Sequence, residues 1–176
     1  MAHFHPMILI VLLISLVSHA ASTTYVINDD YSIFVVDTIC KRTKDYDSCT
    51  KALNSDPRTP TADLPIFAQI ALDLTSRSAS STSQYIADLV AKNPADKKDF
   101  DVCVKDYRDA ASHIAKAYKL LKSKSYGAVK KVAEAVGNDG VGCEDSWKGK
   151  TSPLTSRNKA LELLASIVAV VADLVH

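Results

Sequence analysis

Along the middle of the chain, apolar residues recur at spacings of four and three: Phe100, Val104, Tyr107, Ala111, Ile114, Tyr118 and Leu121. Such spacing puts them on one face of a long helix packed nearly parallel to its neighbours. A polar turn, Lys122-Ser123-Lys124-Ser125, follows, and Tyr126, Val129, Ala133 and Val136 then resume the rule. Two amphipathic helices joined so briefly fold back antiparallel. Cys103, near the start of the first helix, then lies opposite the far end of the second, where Cys143 sits. The pattern itself proposes a Cys103–Cys143 disulfide across the open end of a helical hairpin.

Upstream, Ile33, Phe34, Val35, Val36 and Ile39 lead into Cys40. Their β-branched members also suit a strand, but no alternation follows, and the stretch predicts a short helix that turns back before Leu53. Cys40 and Cys49 are close enough in sequence for a bridge that adds about 2–3 kcal/mol. Residues 54–60, with two prolines and several turn-formers, read as a linker. A long helix begins at Asp63, a good N-cap, with Pro65 in its first turn. Leu64, Phe67, Ala71 and Leu74 mark its buried face, and Leu89 and Val90 its far end. The serine-rich stretch 76–83 between them reads either as a loop or as more helix. Because the spacing resumes in phase at Tyr85 and Leu89, a continuous helix is expected, with Ser78 and Ser81 as small core positions. Asn93-Pro94 starts the next helix. Gly137 to Gly142 is expected to fray or bend the return helix before Cys143. After the stop Thr151-Ser152-Pro153, a last helix over 155–175 is apolar nearly all round, as at the centre of a packed assembly. Four long helices and a stapled hairpin make an all-α protein, an up-down-up-down four-helix bundle with an N-terminal disulfide-stapled α-hairpin.

Composition adds a compartment. Residues 1–20 contain no Asp, Glu, Lys or Arg, Met7 to Val17 is almost wholly apolar, and Ser18-His19-Ala20 offers small residues for cleavage. The run is too short to span a bilayer, which takes about 20 residues, and a signal peptide over 1–20 is expected. Residues 21–30 then form a loose segment and 31–175 one helical domain. In an exported chain, four cysteines mean two disulfides, with three possible connectivities. The apolar last helix is interrupted by Glu162 and Asp173, and no membrane anchor is expected.

Chemistry is sparse. With 21 basic and 20 acidic residues, the charge balance argues against nucleic acid as a partner. No Cys-x-x-Cys knuckle supports a metal site, and no nucleotide or calcium loop fits the glycines at 137–142. His113 beside Ser112 makes no dyad, since helical neighbours point about 100° apart, so it reads as a boundary histidine. The carboxylates between Asp96 and Asp109 alternate with Lys97, Lys98, Lys105 and Arg108 as a solvated face. No enzyme, no cofactor and no metal are expected; the chain reads as a binding protein.

Cys40-x-x-Thr43 with Cys49, Leu53, Asp56-Pro57-Arg58 and Asp63-Leu64 resemble the opening of the plant invertase and pectin methylesterase inhibitor domain. Cys103, Tyr126 after a Lys-Ser turn, Cys143-Glu144-Asp145 with Trp147, Ser152-Pro153-Leu154-Thr155 and Arg157-Asn158 are similar to its second half. The likeness runs from about Tyr31 to Leu174, and within the family it is greatest to the plane-tree pollen allergen type. It implies bridges Cys40–Cys49 and Cys103–Cys143 and a protruding N-terminal hairpin. It also implies a secreted inhibitor, in the cell wall or vacuole, that docks one-to-one over the active site of an acid invertase or a pectin methylesterase. Invertase-inhibiting relatives carry Pro-Lys-Phe in a turn between bundle helices. The matching positions here are Lys124, Ser125 and Tyr126, without the proline and with the basic residue displaced by one. Esterase inhibitors use the bundle helices more broadly, which points to exposed positions on the helices over 63–91 and 96–122. Mildly acidic cell-wall fluid makes the chain more positive, which favours docking to an acidic cleft. The competing expectations are a non-inhibitory secreted structural or allergen-type protein, and a small lipid or ligand carrier.

Overall fold

Local capping signals set the helices. The computed structural model describes residues 30–175; the expected signal peptide and nearly all of the loose segment lie outside the described residues. Helix α1 covers residues 30–40. Helix α2 (Tyr46–Asn54) starts at Asp45, whose carboxylate accepts from the Ser48 amide at 3.0 Å. Helix α3 (Leu64–Lys92) starts in the same way, with Asp63 accepting from the Ile66 amide at 2.9 Å and proline in its first turn. Each cap satisfies an amide that the helix leaves open and contributes about 1 kcal/mol. A 3₁₀ turn, Pro94–Asp96, leads into α4 (Lys97–Lys122), followed by α5 (Tyr126–Asp145) and α6 (Thr155–Leu174).

Helices α3 to α6 pack each against its chain neighbours, and α3 closes on α6. This is the up-down-up-down arrangement, and no strand occurs among the described residues. Phe67, Ile70, Tyr107, Val136, Leu161 and Ile167 are fully buried in it. As expected, α6 is the most enclosed element, with Leu161, Leu164, Ile167, Val168 and Val171 all buried.

The α1–α2 hairpin is bridged Cys40–Cys49, with Cα atoms 5.5 Å apart. Its turn lies against the bundle: Arg42 pairs with Asp173 of α6, and Lys44 with Glu162 of the same helix. Ile33 and Phe34 on α1 face outward. Cys103 and Cys143 are joined between α4 and α5, with Cα atoms only 4.4 Å apart. Trp147 covers that bond: its indole N–H points at Cys103 Sγ from 3.4 Å, and its ring meets Phe100 edge-on at 5.1 Å.

Three sequence expectations need correction. On α4, Val104 and Ala111 are exposed, and the buried stripe is Phe100, Cys103, Tyr107, Ala110, Ile114 and Ala117. The spacing is the same but shifted by one residue at alternate positions, and the bond from Cys103 to Cys143 of α5 turns that face of α4 inward, with Ala110 and Ala117 following in phase.

The serine-rich stretch is helical as expected, yet its buried positions are Thr75, Ala79 and Thr82, not Ser81, which is exposed, and Ser78 is half-buried. The buried hydroxyls bond back to their own helix, Thr75 to the Ala71 carbonyl at 2.7 Å and Thr82 to that of Ser78 at 2.9 Å.

Finally, α5 runs unbroken through Gly137–Gly142. Glycine costs about 1 kcal/mol in a helix interior, but here it admits a neighbour. A Cβ at Gly140 would lie 3.1 Å from the Asn158 carbonyl oxygen of α6.

Candidate functional site

The α4–α5 turn is built from residues that rarely share a place. The Ser125 amide donates to the Leu120 carbonyl at 2.9 Å, and the Lys124 amide to that of Leu121 at 3.0 Å. This double bond pattern closes a helix with a left-handed residue after the cap, a position that usually holds glycine. Here it holds Lys124, with φ of 55°, the one non-glycine residue of positive φ among those described. A side chain in that region costs about 1–2 kcal/mol. Lys124 and Ser125 are exposed and Tyr126 is half-buried at the start of α5. Lys119 and Lys122 occupy the last turn of α4, where cations suit the helix dipole. None of these three lysines forms an ion pair with a described residue. The tip of the hairpin is therefore an unpaired cationic prominence. Replacing Lys124 by glycine is expected to raise stability by about 0.5–1 kcal/mol through relief of the left-handed strain, measurable as a higher urea midpoint.

One helical turn back from the tip, Tyr118 anchors it. The Tyr118 hydroxyl donates to Asp73 Oδ1 of α3 at 2.6 Å, and Arg58 Nη2 donates to Asp73 Oδ2 at 2.8 Å. Arg58 also grips Asp56 with two parallel bonds of 2.8 Å. Residues 54–60, expected only as a linker, thus carry a buried carboxylate: Asp56 is 4% exposed. The Arg58 guanidinium holds the Asp56 carboxyl down to about 2. Burial pushes Asp73 up, but its bonds from Tyr118 and Arg58 outweigh that, and it lies below the usual aspartate range. Burial and the Asp73 carboxylate push the Tyr118 hydroxyl up to about 12.

A second network lies at the opposite end. Tyr107 donates to Asn158 Oδ1 at 2.9 Å, Asn158 Nδ2 to Glu144 Oε2 at 2.7 Å, and Thr155 to Glu144 Oε1 at 2.6 Å. It ties α4, α5 and α6 around the Cys103–Cys143 bond. Glu144 and Asn158 are thus architectural; Asn158 stands in the polar first turn of α6 among Thr155, Ser156, Arg157 and Lys159, so hydropathy carried no signal of its burial. His113, read as a boundary residue, is 36% exposed and meets Asp139 of α5 at 2.8 Å.

The structure therefore separates the expected site residues. The four cysteines staple the scaffold, while Lys124, Ser125 and Tyr126 stand together at the far tip of the α4–α5 hairpin. Among the described residues, no group of three His, Cys, Asp or Glu is placed to hold a metal, and no helix is long and apolar enough to cross a membrane. A surface groove of about 660 Å³ lies away from the tip, between the α1–α2 turn and α6.

Against known proteins, the model of the family described as plant invertase/pectin methylesterase inhibitor matches residues 35–171. A protein named "Pectinesterase inhibitor" from Actinidia deliciosa is 35% identical over 146 residues, 80% of this chain and 78% of its own. One named "Putative invertase inhibitor" from Platanus acerifolia is 34% identical over 134 residues, 73% of this chain and 75% of its own. A crystal structure of a mutant pectin methylesterase inhibitor from Arabidopsis superposes with a TM-score of 0.72 at 24% identity, over 78% of this chain and 95% of that one. That last likeness shows the fold. The two sequence relatives, so close in identity, name different target enzymes.

Proposed function

The chain belongs to the plant invertase/pectin methylesterase inhibitor family, and on that membership we propose that it blocks a cell-wall carbohydrate-acting enzyme by docking over its active-site cleft. The target is an acid invertase or a pectin methylesterase, bound one-to-one by a monomer, and the inhibitor itself does no chemistry. Residues 1–20 are removed on secretion, and the helical domain over 31–175 acts in the cell wall. The observation that carries the reading is the α4–α5 tip, where a lysine occupies a strained glycine position. Strain of this kind persists where function uses it. Hydrolytic clefts that work through carboxylates are acidic, and an unpaired, protruding ammonium group complements them. A core occupied by fully buried Tyr107, Phe67, Leu161 and Ile167 favours this reading over a carrier with an internal cavity.

The test adds the oxidised chain, from residue 21 onward, to a plant pectin methylesterase and separately to an acid invertase in mildly acidic buffer. One of the two is expected to lose activity. With that enzyme, Lys124→Ala is expected to raise the inhibition constant at least about tenfold, or 1.4 kcal/mol, while leaving thermal unfolding nearly unchanged. Full inhibition by Lys124→Ala would move the docking site off the tip and onto the exposed faces of α3 and α4. Undiminished activity of both enzymes would remove the inhibitor reading.

A further inference from the structure

Asp106 lies where α4 packs against α5. Its Oδ2 is buried and accepts no hydrogen bond among the described residues. A Cβ at Gly142 would stand 2.9 Å from that oxygen, so the carboxylate rests against a bare stretch of α5 backbone. About one turn earlier on α5 is Asp139, 14% exposed, which meets His113 Nδ1 at 2.8 Å. The remaining charges that face the pair are Lys105 and Asp109 of α4, and these bind one another at 2.8 Å nearer the surface. Two carboxylates thus share the α4–α5 contact, and only Asp139 has a direct partner. A carboxylate with one oxygen held out of solvent and without a hydrogen bond there, close to another carboxylate, costs free energy as long as it is ionised.

We propose that Asp106, buried against Gly142 and facing Asp139, is a proton-operated clasp between α4 and α5 that holds the helical hairpin most tightly in mildly acidic solution. The clasp belongs to the fold and needs no partner enzyme. Burial first, then Asp139 and Asp109, push the Asp106 carboxyl above its ordinary value, against the pull of Lys105. Burial also pushes Asp139 up, against its bond to His113. Because His113 favours an ionised Asp139, the proton's place is Asp106.

A carboxyl whose folded-state value lies above its unfolded one takes up a proton on folding. Its contribution to stability therefore grows as pH falls from neutral through the folded-state value. The ion-paired carboxylates run the other way. Asp56 and Asp173, both held down to about 2, contribute fully above the ordinary value of 3.8 and lose that contribution as pH falls toward 2. Just above the ordinary value of 3.8 the ion-paired set is complete and Asp106 has lost least of its contribution, so both sets favour the fold in acid over neutrality.

The experiment follows the Asp106 carboxyl by carbon NMR across the pH range in the oxidised chain. It also compares urea unfolding at about pH 4 and pH 7 for the native chain and for Asp106→Asn. Asp106 is expected to titrate above 3.8. The urea midpoint of the native chain is expected to fall between pH 4 and pH 7, and Asp106→Asn to reduce that fall. An Asp106 midpoint at or below 3.8 overturns the proposal, as does a fall that Asp106→Asn leaves unchanged. Where the variant fails to fold, the titration of the native chain decides alone.

Discussion

Replacing Cys103 and Cys143 together by alanine is expected to cost about 4 kcal/mol of stability, the largest effect of any change considered for this chain. The bond joins residues 40 apart. Closing a loop of that length removes chain entropy from the unfolded state worth about 4 kcal/mol at room temperature. For Cys40 and Cys49, only 9 apart, the same reasoning gives about 2–3 kcal/mol. Both sulfurs at 103 and 143 are fully buried, and Trp147 leans on one of them. Alanine therefore also removes packing from the centre of the α4–α5 contact. The native arrangement should survive, since a short turn already holds the two helices together and the network from Tyr107 to Glu144 remains. Urea unfolding of the double variant gives the number directly. A loss below about 1 kcal/mol would mean that the unfolded chain already keeps α4 and α5 together, leaving the bridge little entropy to remove.

Second in size is Arg58→Ala, expected to cost about 2–3 kcal/mol. The guanidinium makes three hydrogen bonds of 2.8 Å to Asp56 and Asp73. Without it, Asp56 becomes a buried carboxylate with Arg77 as its remaining cation, 3.8 Å away and itself mostly exposed. Such orphaned charges cost about 3–5 kcal/mol when fully buried. The lower figure reflects the Arg58 side chain, which is 40% exposed and partly screened. Thermal unfolding measures the loss. Asp56→Asn added to Arg58→Ala should recover much of it, because a neutral amide tolerates the site. A double variant no more stable than Arg58→Ala would place the cost in lost packing rather than in stranded charge.

The architecture was legible because burial follows spacing, and spacing survives in a bare sequence. The phase was less so. Val104 is the more apolar residue, but Cys103 faces inward because its bond to Cys143 fixes which side of α4 meets α5, and a count of apolar spacings does not weigh a covalent link. The glycines of α5 misled for a related reason: glycine breaks an isolated helix, yet in a bundle it gives a neighbouring backbone room. For the candidate site, the turn at Lys124 was visible from its polar residues, but its left-handed geometry depends on how α4 ends. The Arg58–Asp73–Tyr118 cluster was hidden altogether. Tyr118 and Asp73 stand 45 residues apart, and only the packing of α4 on α3 brings them together. Asp56-Pro57-Arg58 carried a signal in its motif, though nothing in it told of burial.

The placement of the Cys103–Cys143 bond has a mechanical meaning. Helices α4 and α5 form a pair of beams welded at one end, with the lysine tip about 30 Å away at a rise of 1.5 Å per residue. Tyr118 adds a strut to α3 just short of the tip. A double beam clamped at its root and braced near its end resists bending far better than a loop of equal length. Lys124 is thus carried as a fixed point of a stiff body, and its position was already restricted when the chain folded, so little freedom is left to lose on contact.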